Sequence, residues 1–174
     1  SRGVDLGVFY PTQRERRERP VLLYMGRVAP EKNLEDFLRL KHRLDAEFHV
    51  VGDGPSRAEL QRKYPQVKWH GYLSGAELNR ALGQADCFVF PSRTDTFGLV
   101  MLEAMATGTP VAAYPEQGPL EVIYHGVSGA VHDDLFQAVV MALRCDRGET
   151  LAHARGFSWK RCTQQFEASL VMQP

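Results

Sequence analysis

Two basic residues, Arg27 and Lys32, stand in the segment GRVAPEKN (residues 26–33), directly after an apolar run of strand length. A guanidinium and an ammonium leaving a strand at the edge of a cleft are suited to neutralise a diphosphate. Taken alone, they read equally well as ordinary surface charges. A second loop, VGDGP (residues 51–55), carries Gly52 and Gly54. Glycine lets backbone approach a ligand closely, but a tight strand-to-helix turn explains the same pair. A dinucleotide fingerprint wants a third glycine at position 57, where Arg57 stands.

The most informative stretch is SRTDTFGLVMLEAMATGTPVAA (residues 92–113), in which the carboxylates of Asp95 and Glu103 lie eight residues apart. A helix opening near Gly98 leaves Asp95 in the preceding loop and puts Glu103 in the second turn. Between them the amides of Phe97, Gly98, Leu99 and Val100 point out of a helix N-terminus, ready for an anion. A carboxylate beside an anion repels it unless it accepts from hydroxyls, and sugar and ribose hydroxyls are the obvious donors. The plain alternative makes Asp95 the helix N-cap and Glu103 an exposed helical residue. His132, Asp133 and Asp134 resemble a metal cluster, yet three adjacent polar residues where a strand meets a helix read more simply as a cap. His70 and His125 have no acid or nucleophile partner in the sequence pattern. Trp159 and Phe166 read as packing residues of a last helix.

These residues need a scaffold, and the chain alternates strand and helix patterns. Apolar blocks at residues 21–26, 48–52, 67–71, 87–91, 111–114 and 129–131 read as strands. Helices are expected from Pro30 through Leu40, after Ser56, from Ser74 through about Ala85, at residues 99–107, at about 134–144 and at 158–171. Ser56 with Glu59 and Ser74 with Glu77 have capping-box spacing. Gly108 and Pro110 end the helix that carries Glu103. The alternation implies an α/β fold: one doubly wound, Rossmann-like domain, with a mainly parallel six-stranded sheet and helices on both faces. Ligands of such sheets bind at the carboxyl ends of the strands. The loops singled out above occupy those ends.

The 174 residues suit one domain without disulfide or metal support. With 21 basic and 21 acidic residues there is no global field to draw nucleic acid, so an anion site must be a built pocket. Cys87, Cys145 and Cys162 form no C-x-x-C pair, which favours a reducing compartment. No apolar run reaches the roughly 20 residues of a membrane span. The opening lacks the n-region and apolar core of a signal peptide. It also lacks an initiator Met and reads like a linker, so residues 1–19 are expected to lead in from an N-terminal domain and residues 20–174 to form the domain itself.

GRVAPEKN, VVGDGP, WHGYL and above all SRTDTFGLVMLEAMATGTPVAA resemble the C-terminal, nucleotide-sugar-binding domain of the family-4 retaining glycosyltransferases of the GT-B fold. The likeness covers nearly the whole chain, and the opening RGVDLGVFYP is similar to the segment by which that family's chain enters its second domain. The resemblance implies that Arg27 and Lys32 bind the diphosphate, assisted at Gly26, and that Glu103, the second acid of the Glu-x7-Glu motif, holds the ribose. Asp95 takes the place of the first acid, where the wider family has Glu, and contacts the donor sugar. That departure recurs in a branch resembling lipid mannosyl- and sulfoquinovosyltransferases. Backbone at Thr96, Phe97, Gly98, Leu99 and Val100 meets phosphates and sugar, while Gly52, Tyr72 and Leu73 line the base pocket.

The activity so implied is hexosyl transfer from an NDP-sugar, UDP favoured over GDP, to a lipid or glycan acceptor. It needs no cofactor and no metal. Its partners are the NDP-sugar donor and an N-terminal acceptor-binding domain absent here, in a cytoplasmic enzyme able to sit on the inner face of the cell membrane. The chain by itself is expected to bind donor without turnover. Two other functions fit the same residues: an NDP-sugar epimerase of the GT-B fold, separated by product analysis, and a non-catalytic nucleotide-binding domain, which would bind NDP with little preference for the attached sugar.

Overall fold

The computed structural model describes residues 3–95 and 98–157. Thr96, Phe97 and the helix expected at residues 158–171, with Trp159 and Phe166, lie outside the described residues. The elements run β1 (Val21–Met25), α1 (Leu34–Arg39), β2 (Glu47–Val51), α2 (Arg57–Lys63), β3 (Lys68–Gly71), α3 (Gly75–Gln84), β4 (Cys87–Phe90), α4 (Leu99–Ala106), β5 (Val111–Ala113), α5 (Gln117–Val122), β6 (Gly129–Val131), α6 (Leu135–Ala142) and α7 (Arg147–Arg155). All six strands pair in parallel, in the order β3-β2-β1-β4-β5-β6. This is the Rossmann order, and its reversal lies between β1 and β4.

Every residue of β1 is buried, as a continuous apolar run in a central parallel strand requires. Period-2 alternation sends Leu22 and Tyr24 to one face, where they meet Phe37 and Leu38 of α1, Leu60 of α2 and Val139 of α6. Val21, Leu23 and Met25 go to the other face, with Leu82 of α3, Met101 and Met105 of α4 and Ala154 of α7. The sheet is therefore covered on both faces. Phe37 is fully buried, its ring centroid 5.3 Å from that of Phe48, and its truncation to alanine is worth about 3–5 kcal/mol of stability.

The helix expected from Pro30 is interrupted. Pro30–Lys32 forms a 3-10 turn, and Asn33 then adopts φ 51°, ψ 32°, so α1 starts only at Leu34. Asparagine is one of the few residues that enter this left-handed region readily. Neither capping box forms. Ser56 already has helical backbone (φ −86°, ψ −4°), with its amide bonded to the Val28 carbonyl at 3.1 Å, and its side chain makes no cap bond. Ser74 is an extended N-cap without a side-chain bond, because Gly75 opens α3 at φ 54° and turns the first amides away.

Gly108 ends α4 as expected. It has φ 79°, its amide donates to Met105 O at 2.9 Å, and that of Thr109 donates to Ala104 O at 3.0 Å, the paired bonds of a Schellman stop. Two helices, α5 and α7, escape the sequence pattern. Val4 is buried in the core face that holds α3 and α4, its amide donating to Phe157 O at 2.9 Å. Residues 5–19 then run over the surface, tied to α3 by Tyr10 N donating to Asn79 Oδ1 (3.0 Å) and Glu15 N to Gln84 Oε1 (2.9 Å), and to the loop before β4 by an Arg14–Asp86 ion pair.

Candidate functional site

At the carboxyl edge of the sheet, where the strand order reverses, the β1–α1 and β4–α4 loops wall a cleft of about 480 Å³. It brings together Gly26, Arg27, Lys32, Asp95, Gly98, Leu99 and Val100, seven residues that the sequence singles out. Tyr24, Phe90 and Ser92 also line it, and sequence reasoning missed them. Tyr24 left a signal: a phenol in a buried strand needs a partner for its hydroxyl, which places that hydroxyl at a strand end.

The β1–α1 loop is fixed by backbone contacts with the loop after β2. Gly26 N donates to Val51 O (3.0 Å) and Val28 N to Asp53 O (2.9 Å). A Cβ on Gly52 (φ 124°) would fall 2.0 Å from Gly26 O, and one on Gly54 would fall 2.4 Å from Val28 O. These glycines are thus required by the packing of one loop on the other, and Gly52 is not part of the cleft wall. The β4–α4 loop is stitched to the same segment through Thr94 Oγ1, which donates to Glu31 O (3.4 Å), and Asn33 Nδ2, which donates to Pro91 O (3.5 Å).

Charge is placed unevenly in the cleft. Lys32 Nζ donates to Asp95 Oδ1 at 2.5 Å across it, both side chains about three-quarters buried. The Arg27 side chain is 65% exposed and, among the described residues, reaches only Glu31, at 3.5 Å, so it can turn onto a ligand. The neighbouring cation Arg93 is already engaged: its guanidinium stacks 3.6 Å from the Tyr114 ring centroid and pairs with Glu116 at 3.0 Å. Gly98 is the N-cap of α4, and no side chain among the described residues caps that terminus. The amides of Gly98, Leu99 and Val100 make no hydrogen bond to another described residue. Asp95 is therefore not the helix cap.

Glu103 sits on α4 one turn beyond the cleft wall, half-buried and without an ion pair or hydrogen bond among the described residues. Burial pushes its carboxyl pKa up. It is therefore not an exposed helical side chain. Tyr72 and Leu73 follow β3 and do not join this cleft: Tyr72 is 81% exposed, while Leu73 packs on the core face that holds α3 and α4. The His132–Asp134 run is a cap, with Asp134 Oδ1 accepting from Phe136 N at 3.0 Å and pairing with Arg43. His70 has a partner the sequence did not reveal, the His49 ring at 3.1 Å. A second groove of about 320 Å³ between α1 and α2 holds Glu35, Asp36 and Glu59 against Arg39 alone, a balance that disfavours an anion.

Fold and cleft define a doubly wound α/β domain whose candidate site lies at the strand-order reversal. The model of the family described as glycosyl transferases group 1 matches residues 19–145, and the chain belongs to that family. A GDP-mannose-dependent alpha-mannosyltransferase of Mycolicibacterium smegmatis is 37% identical over 150 residues, 81% of this chain and 40% of that protein. The sulfoquinovosyl transferase SQD2 of Arabidopsis thaliana is 35% identical over 137 residues, 71% of this chain and 27% of that protein. Among solved structures, the lipopolysaccharide outer core galactosyltransferase WaaB matches with a TM-score of 0.83 at 21% identity, over 98% of this chain and 54% of that one. Sucrose-phosphate synthase of Thermosynechococcus elongatus matches with a TM-score of 0.77 at 23% identity, over 98% and 52%. At such identities the solved neighbours establish the fold. The chain spans 40% or less of the length of these two curated relatives.

Proposed function

We propose that this chain is the donor-binding half of a retaining glycosyltransferase that moves a hexosyl group from a nucleoside diphosphate sugar to a lipid or glycan acceptor. The observation that carries the reading is the convergence of Arg27, Lys32 and the N-terminus of α4, uncapped by any described side chain, on one cleft at the carboxyl edge of the sheet. Positive charge and oriented amides there stabilise a leaving diphosphate as its charge develops, without a metal. Glu103, half-buried and without another partner among the described residues, accepts from the ribose hydroxyls. Asp95, at the mouth beside Lys32, accepts from the donor sugar. Gly52, Tyr72 and Leu73 are assigned to the base, and Thr96 and Phe97 to the phosphates, on the family resemblance. The acceptor surface belongs to a separate N-terminal domain, so this chain binds donor and does not turn over. A lipid acceptor would hold the whole enzyme at the inner face of the membrane; among the described residues no helix is long and apolar enough to cross it.

The donor we favour is GDP-mannose. The preference for UDP drawn from the sequence finds no support among the curated relatives, of which several are named GDP-mannose-dependent mannosyltransferases at 34–37% identity. The solved neighbours that carry UDP lie below 20% identity and bear only on the fold. Calorimetry of this chain with GDP-mannose, GDP, UDP-glucose, UDP and an ADP-sugar, with and without EDTA, tests the reading. GDP-mannose is expected to bind tightest, more tightly than GDP, and EDTA to change nothing. Absence of any nucleoside diphosphate binding would overturn the donor site; a UDP-sugar preference would overturn only the choice of base.

A further inference from the structure

We propose that Tyr24 is a positioning residue for the diphosphate, acting by pinning the peptide that carries Arg27. The inference rests on the donor-site reading above. Tyr24 lies at the end of β1, only 2% exposed, with its ring packed on Phe37 and its hydroxyl reaching the cleft. That hydroxyl donates to the backbone carbonyl of Arg27 at 2.8 Å. The amide on the other side of the same peptide, Val28 N, donates to Asp53 O at 2.9 Å. The Arg27–Val28 peptide is therefore held at both ends, and its plane cannot turn.

The orientation matters because a carbonyl oxygen carries the wrong partial charge for a site that receives an anion. With the phenol in place, the Arg27 oxygen is covered by a hydrogen-bond donor that offsets its partial negative charge. Without the phenol, the peptide is held at its N–H alone, and the carbonyl can swing toward the phosphates while the base of the guanidinium loses its fixed origin. Gly26 fits the same arrangement. Its φ of 156° lies in the region that favours glycine, and a Cβ there would stand 2.9 Å from the Tyr24 hydroxyl oxygen. Burial, helped by the Asp95 and Glu31 charges, raises the Tyr24 pKa, so the hydroxyl keeps its proton and stays a donor through the neutral range. Fixed dipoles that need not reorganise when charge arrives are the kind that contribute most in such sites.

Tyr24→Phe tests this, because it keeps the ring and removes one oxygen. Calorimetry on this chain with GDP and UDP, each beside its nucleoside, is expected to show diphosphate affinity falling about three- to tenfold, the scale of one lost hydrogen bond, while nucleoside affinity stays as in the parent. Equal losses for nucleotide and nucleoside would make Tyr24 merely structural, and no loss for either would show that the bond is idle; both overturn the inference. Should Tyr24→Phe fail to fold, Gly26→Ala is the second probe. Its methyl displaces the hydroxyl, and the same diphosphate-selective loss is expected. The donor-site reading is checked separately by Arg27→Ala. If that variant also leaves diphosphate affinity unchanged, the reading itself fails, whereas a loss in Arg27→Ala with none in Tyr24→Phe sinks only the positioning role.

Discussion

Lys32 and Asp95 face each other across the mouth of the cleft, the ammonium donating to the carboxylate at 2.5 Å. They come from loops after different strands, 63 residues apart in sequence. The cation assigned to the diphosphate is thus already neutralised in the donor-free chain, and an incoming diphosphate must share or displace Asp95. A partly exposed ion pair of this kind is worth up to about 1 kcal/mol. Asp95→Asn is therefore expected to tighten free NDP binding by about two- to fivefold. It should also remove the additional affinity that the attached sugar confers, since the amide is a poorer acceptor for the sugar hydroxyls. Titration of NDP and NDP-sugar into parent and variant measures both effects. Weaker NDP binding in the variant would show that Asp95 helps to hold the phosphates instead of competing with them.

Arg27→Ala and Lys32→Ala should each weaken NDP binding by about 1.5–3 kcal/mol, the range of a charge-assisted hydrogen bond, and leave the nucleoside untouched. The structure ranks them. Arg27→Ala removes a cation whose contact with Glu31, at 3.5 Å between exposed side chains, is loose, so little is left uncompensated. Lys32→Ala leaves Asp95 as an uncompensated carboxylate facing the anion, so its loss should be the larger. The ranking should collapse in the Lys32→Ala, Asp95→Asn double variant, whose NDP affinity should lie above that of Lys32→Ala.

The parallel sheet was legible because its central strands β1 and β4 are continuous apolar runs closed by Gly26 and Pro91, and the cleft was legible because parallel sheets bind at their carboxyl edges. The seven residues on the cleft wall followed from those two facts and from the specificity of residues 92–113. What stayed hidden depended on relations that periodicity does not encode. The break at Asn33 is one residue in a left-handed conformation. Helix α5 contains Gly118 and Pro119, which read as turn residues. Helix α7 has little apolar face, although Asp146 caps it by accepting from Glu149 N at 2.9 Å, and that Asp-x-x-Glu spacing was its available signal. The two Ser-x-x-Glu spacings do not close as capping boxes, since capping depends on the backbone angles of the cap residue, helical at Ser56, and of the first helical residue, left-handed at Gly75. The roles of Gly52 and Gly54 turned on which backbone lies opposite them, and that is a tertiary fact.

Gly52→Ala tests the loop-on-loop packing. The added methyl would meet Gly26 O at 2.0 Å on a backbone at φ 124°, so one loop must move or the strand end must unpair. A destabilisation of about 3 kcal/mol or more is expected, in the class of overpacking combined with backbone strain. Chemical denaturation would report it. Should Gly52→Ala unfold like the parent yet lose nucleotide affinity, Gly52 would be a ligand-approach glycine, as the family resemblance implies.

Glu103 carries a pH signature. Its pKa is raised by burial, so the folded chain holds the proton more tightly than the unfolded chain does. Ionising it works against the fold. Stability should therefore fall as pH rises through the window between the ordinary value of 4.5 and the raised folded value, with the whole penalty present above that window and none below it. Glutamine carries no such penalty. Glu103→Gln is thus expected to raise the Tm of the donor-free chain at pH 7, an advantage that shrinks as the pH is lowered toward 4.5 and is gone below it. The same substitution should weaken NDP, NDP-sugar and nucleoside alike by about 1.5–3 kcal/mol, because all three carry the ribose that the carboxylate is assigned to hold. This separates it from Arg27→Ala and Lys32→Ala, which should spare the nucleoside. A buried carboxylate kept at a cost to stability is expected where function requires the charge. If Glu103→Gln gained stability and bound all three ligands like the parent, that charge would have no part in donor binding.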